Sequence, residues 1–211
     1  MKEDILEQAV DDWFLCKDSM FTKHNIHFKP DINDPDYVGN QDSVNSDIDV
    51  LAVNLKMQGV DRVYAASCKS WQEGFNAKKT QYDLLNNPNK KWGGREIWRS
   101  FRELIVLKWG KAFSKKIYDE TLSKDYTYYL FVTKLAGMKG ENLEQSRIDF
   151  ENCQGFLNNL RYDESSSVQI KIKTFKEMID EHFLQKNGTT MEATEIGRLL
   201  QIFRASDIKL K

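Results

Sequence analysis

Proline is scarce in this chain. There are only 3 in 211 residues, which leaves no material for a proline-rich linker. Cysteine is equally scarce, with Cys16, Cys68 and Cys153 far apart and no CxxC pair. That excludes the common zinc modules and a disulfide scaffold, and it points to reduced thiols in a cytoplasm. The 3 histidines fall at no metal-ligand spacing. No apolar run reaches the ~20 residues a membrane span needs, and the start, Met-Lys-Glu-Asp, has no signal layout. Charge of one sign is also missing. The net charge is −1, so any nucleic-acid affinity has to come from a local patch.

What remains is an ordinary globular composition. Apolar residues make up 40% and charged residues 30%, enough apolar material for one domain over residues 1–211 to bury a core without staples. No repeat or low-complexity tract divides the chain.

Hydrophobic periodicity gives a coarse map. Residues 3–20 read as a helix, with Leu6, Ala9, Val10, Trp13 and Phe14 on one face. A short strand is expected at 25–29 and a polar loop at 30–43. Ser46 to Val53 (SDIDVLAV) alternates and then becomes wholly apolar, which reads as a strand buried on both faces at its far end. Gly59 marks a turn. Arg62 to Lys69 is a second strand, and the short connection makes the two an antiparallel hairpin. Helices are expected at 71–86, 94–118 and 143–160. Asp125 to Lys134 and Val168 to Lys173 read as strands. Thr174 with Glu177, and Thr189 with Glu192, form two capping boxes ahead of the last helices. Strands interleaved with helices predict a sheet covered on both faces.

The hairpin carries the chemistry. Residues i and i+2 of a regular strand share a face, which groups Asp47 with Asp49 and Ser67 with Lys69. A lysine at the end of an apolar strand is expensive to desolvate without a partner. Carboxylates that bind Mg²⁺ (or Mn²⁺), beside a lysine that steadies negative charge, are the parts needed to hydrolyse a phosphodiester. The bland alternative is turn chemistry at Asp47 and Asp49, and a Lys69 that snorkels to water.

Residues 46–53 and the strand ending Ala66 to Lys69 (ASCK) resemble motifs II and III of the PD-(D/E)XK nuclease superfamily. That superfamily includes restriction endonucleases, Mrr-like enzymes and Holliday-junction resolvases. The resemblance implies a restriction endonuclease-like α/β fold, three-layer α/β/α with a central mixed β-sheet. It implies a Mg²⁺-dependent endodeoxyribonuclease, a DNA partner and, in many members, a homodimer. Asp49 matches the motif II metal ligand, with Asp47 the weaker candidate. Lys69 matches the motif lysine, and Glu7 matches a glutamate on the N-terminal helix. The pattern departs at Ser67, where the family carries Asp or Glu. Asp83 or Glu73 on the following helix would supply the missing carboxylate. Otherwise the chain is a catalytically inactive relative that binds nucleic acid or assembles with partners.

Residues 90–116 hold nine basic side chains against Glu96 and Glu103. On the expected helix, Arg95, Arg99 and Arg102 share a face, and with Lys90 and Lys91 they form a candidate phosphate-contacting surface. Trp92, Trp98 and Trp109 interleave with them. The segment from Lys91 to Gly94 reads as a mobile loop. Ile196, Leu199, Leu200 and Phe203 form a stripe that serves either as a dimer interface or as core.

Overall fold

The computed structural model describes residues 4–184 and 195–206. It begins with α1 (Ile5–Leu15), whose five inward residues are those the periodicity selects. Asp4 caps it by accepting from the Leu6 N–H at 2.9 Å. The helix stops at Leu15 rather than continuing to residue 20, and Ser19 turns the chain with φ +61°. The strand expected at 25–29 is therefore longer: β1 spans Met20–Phe28. Then come α2 (Gly39–Asp42), β2 (Ser46–Asn54), β3 (Val63–Lys69) and α3 (Ala77–Asn86).

The helix expected over 94–118 is replaced by several elements. A two-stranded hairpin, β4 (Lys91–Trp92) and β5 (Arg95–Glu96), is followed by a 3-10 turn, Ile97–Ser100. After it come α4 (Arg102–Ile105) and α5 (Leu107–Thr121). Gly93 and Gly94 make the hairpin turn with φ of +55° and +85°, the left-handed pair that a two-residue hairpin needs. Phe101 and Val106 leave the helical region at φ −145° and −112°. These breaks let Ile97, Trp98, Phe101 and Leu104 all face inward.

The chain ends with β6 (Tyr126–Val132), α6 (Leu143–Glu151), α7 (Gln154–Leu160) and β7 (Val168–Thr174), then α8 (Phe175–Met178), a π-helical turn Ile179–Leu184 and α9 (Glu195–Ala205). The helix expected at 143–160 thus breaks between α6 and α7. The Thr174–Glu177 capping box is present. The second box, at Thr189 and Glu192, lies outside the described residues.

The five-stranded sheet has the order β1-β2-β3-β6-β7. The hairpin β2–β3 is antiparallel, as its short connection requires, and β1 joins it antiparallel. β6 and β7 add in parallel. One apolar core packs α3 to α7 on one face, and a second packs α1, α8 and α9 on the other. The fold is the expected three-layer α/β/α arrangement with a mixed sheet. Ile196 and Leu200 are buried in the α1 layer with Phe203 against them, so most of the α9 stripe is core; Leu199 is 43% exposed. No helix among the described residues is long and apolar enough to cross a membrane.

Candidate functional site

The hairpin opens into a fork at one end of the sheet. The β2–β3 ladder runs from Val53 opposite Val63 to Val50 opposite Ala66 and goes no further. Before Val50, β2 pairs only with β1. At this point the regular alternation of β2 also fails. Ile48 lies in the α3–α7 core, whereas Val50 lies in the α1 core. On the partner strand, between His24 and Ile26, Asn25 has φ +50°. The i, i+2 rule therefore does not carry across Asp49, and Asp47 and Asp49 do not share a regular strand face.

Asp49 bridges the fork. Its Oδ2 accepts the Cys68 backbone N–H at 2.5 Å. Burial pushes its carboxyl pKa up, against the pull of the Lys69 charge and of that N–H, and the charges of Glu103 and Asp47 push the same way as burial. A carboxylate held in this way gains from a nearby cation.

On β3, Lys69 Nζ donates to Ser67 Oγ at 2.9 Å. The ammonium also stands 5.6 Å from the centre of the Phe101 ring. Ser67 is buried, and its hydroxyl reaches the phenol of Tyr128. That phenol donates to Glu103 Oε1 at 2.7 Å. Burial first and Glu103 second raise the Tyr128 pKa well above its ordinary value, so it stays a neutral donor. Lys69, Ser67, Tyr128 and Glu103 thus form one chain of polar contacts beside Asp49.

Glu103 is the site residue that sequence reading misses. At 100° per residue, one continuous helix would place it about 140° from Trp98, on the wet side. The breaks around α4 turn it inward to 6% exposure.

The other expected site residues scatter. Asp47 is exposed and pairs with His27 Nδ1. Glu7 approaches the end of β3 from the α1 side. There burial, then Asp49 and Glu7, push the Cys68 thiol pKa well up, which makes it a poor nucleophile. Asp4 joins the same end by accepting from Ser70 Oγ at 2.6 Å.

Asp83 is 1% exposed, and its oxygens accept from Lys90 Nζ at 3.0 Å and Trp92 Nε1 at 3.2 Å. It ties the β4–β5 hairpin to α3 and is not among the charges acting on Asp49. Glu73 is exposed and lines a recess beside Trp71.

The basic segment divides likewise. Arg102 is buried, its guanidinium 4.6 Å from the Trp109 ring centre and 5.8 Å from that of Trp98. Its Nε and Nη1 have no hydrogen-bond partner, so it is not a surface phosphate contact. Arg95, Arg99 and Arg102 lie on β5, the 3-10 turn and α4 rather than on one helix face. They still feel one another, because burial first, then Arg99 and Arg95, lower the Arg102 pKa. Lys90, Arg99, Lys108, Lys115 and Lys116 hold Asp83, Glu96, Asp42, Asp119 and Glu120. Among the described residues, Lys91 and Arg95 are exposed and have no such pairing.

No group of three or more His, Cys, Asp or Glu able to hold a metal ion occurs among the described residues. Two carboxylates, Asp49 and Glu103, lie near enough for the charge of Glu103 to act on Asp49. Mg²⁺ uses one or two carboxylates plus waters and substrate phosphates, and this donor set fits that mode. Comparison with protein-family models, with curated proteins and with solved structures found no match.

Proposed function

We propose that the chain is a metal-dependent nuclease that hydrolyses phosphodiester bonds in DNA. The observation that carries this reading is the Asp49 carboxylate bridging the open end of β2–β3 to the Cys68 N–H, on the strand where Lys69 donates to Ser67. The mixed sheet between helices agrees with what the PD-(D/E)XK resemblance implies.

Asp49 and Glu103 would hold Mg²⁺ or Mn²⁺, with Ser67 offering a hydroxyl in place of the family's acidic residue. When bound, the ion would polarise the phosphoryl oxygen and lower the pKa of its water. Lys69, positioned by Ser67, orients the attacking water and steadies charge that develops on the phosphoryl oxygens. Tyr128 fixes the orientation of Glu103. Lys91 and Arg95 contact phosphates of the bound strand.

The test is cleavage of plasmid and linear DNA with Mg²⁺ or Mn²⁺, comparing wild type with Asp49→Ala and Lys69→Ala. Metal-dependent cutting that both substitutions abolish is the expected result. A folded wild type that cuts nothing with either metal overturns it.

A second reading is a catalytically inactive relative that keeps nucleic-acid binding. It is favoured by Ser67 and by the lack of a three-residue acidic cluster among the described residues. Binding with no cutting distinguishes it.

A further inference from the structure

We infer that the recess between the loop after β3 and the β4–β5 hairpin takes an unpaired nucleobase of a nucleic-acid strand. This deepens the nuclease reading, since the strand would lead to Lys69. The recess has a volume of about 480 Å³ and is lined by Trp71, Gln72, Glu73, Trp92, Arg95 and Ser100, among others. That is the size of a small-ligand site.

Its walls are aromatic, with Trp71 and Trp92 partly buried against the main core. The Trp71 and Trp92 ring centres are 6.0 Å apart, with planes at 58°. A base sandwiched between them would need parallel planes and about 7 Å, two van der Waals gaps of roughly 3.5 Å. The base therefore rests against one face of the aromatic wall rather than between the rings. Stacking of this kind is sequence-tolerant, because every base has a π-face.

Charge separates base from phosphate. Glu73 lines the recess and repels a phosphate there, but its oxygens accept from base amino groups. Gln72 and Ser100 add both donors and acceptors. Positive charge gathers on the hairpin side of the recess, where Arg95 lines it and Lys91 is exposed, with Lys79 Nζ 4.7 Å from the Trp92 ring centre. A strand with its phosphates on the hairpin side and one base turned toward Glu73 satisfies both parts.

The recess is mechanically tied to the candidate site. Trp71 follows Lys69 by two residues, and its carbonyl accepts from Thr133 Oγ1 at 2.5 Å. Phe101 touches both, 5.9 Å from Trp71 by ring centres and 5.6 Å from Lys69 Nζ. Gly74 closes the back wall with φ +90°, where a Cβ would stand 2.9 Å from the Lys134 carbonyl oxygen.

The experiment measures binding in EDTA of oligonucleotides carrying 2-aminopurine, as single-stranded DNA, single-stranded RNA and duplex DNA of one sequence. Expected is quenching of 2-aminopurine by the single strands and tighter binding of them than of duplex. Trp92→Ala weakens single-strand binding about tenfold, within the range for one stacked base. Trp92→Phe restores most of it, and Arg95→Glu weakens it without touching the core. Equal binding of single strands and duplex without quenching overturns the proposal. So does a folded Trp92→Ala variant that binds as wild type; should that variant not fold, wild-type binding and quenching in Arg95→Glu overturn it. The DNA and RNA arms identify which strand supplies the base. Because EDTA removes the metal, cutting plays no part in this result. Quenching in a protein that never cuts DNA keeps the recess and removes the nuclease reading. Cutting of duplex without quenching does the reverse.

Discussion

The phenol of Tyr128 on β6 donates to the carboxylate of Glu103 on α4 at 2.7 Å, and both groups are buried. The bond fixes the second carboxylate at the fork, and the Tyr128 phenol is also in reach of Ser67.

Glu103→Gln keeps an acceptor for Tyr128 but removes the charge. Metal-dependent cleavage should fall by at least about 10- to 100-fold, the size that even indirect metal partners carry. Glu103→Ala also removes the carboxylate that accepts from the buried Tyr128 phenol, so urea denaturation should show a further loss of about 1–3 kcal/mol. A Glu103→Gln enzyme with wild-type cutting and metal requirement would exclude Glu103 as a ligand.

Asp49 makes stability depend on pH. Burial raises its carboxyl pKa in the folded chain. Between the unfolded value, about 3.9, and the folded one, the folded chain holds the extra proton. The ionised group therefore detracts from stability as pH rises through that window. Asp49→Asn keeps an acceptor for Cys68 and removes the titration. Its stability relative to wild type should rise from about pH 4 and level off above the folded value. Mg²⁺ should stabilise wild type alone. Chemical denaturation from acid to neutral pH, with and without Mg²⁺, checks both.

Asp83 should prove structural. Asp83→Ala removes the acceptor for Trp92 Nε1 and Lys90 Nζ and should destabilise by about 1–3 kcal/mol. The Mg²⁺ concentration for half-maximal cleavage should not move. A shift of tenfold or more would return Asp83 to the metal site.

Gly110 tests close packing of α5 on α7. A Cβ there would stand 2.1 Å from the Asn159 carbonyl oxygen. Alanine gains about 1 kcal/mol of helix propensity, but overpacking costs about 1–3 kcal/mol, and the clash is with backbone that cannot rotate away. Gly110→Ala should lower the thermal midpoint. An unchanged or higher midpoint would show that α7 gives way freely.

The runs expected as strands at 46–53, 62–69, 125–134 and 168–173 each became one, because alternation, short apolar runs and β-branched or aromatic content are local properties. The inward stripe of α1 was equally readable. The β2–β3 hairpin followed from the shortness of its connection. Asp49 and Lys69 were legible as a pair because both lie next to the register that this hairpin imposes.

The remainder depended on tertiary packing. Nothing local shows that β2 and β3 part beyond Val50, or that the alternation slips at Asp49, since both depend on how β1 and two different cores share one strand. Arg102 and Glu103 read as wet helix residues until Phe101 and Val106 break the helix and turn them inward. The basic run read as one patch, although acidic residues within and outside the segment hold five of its cations. The sequence by itself determined four of the five strands of the main sheet and which two of them carry Asp49 and Lys69. Only the tertiary structure decided which carboxylate joins them, because burial and ion pairing are long-range contacts that periodicity does not encode.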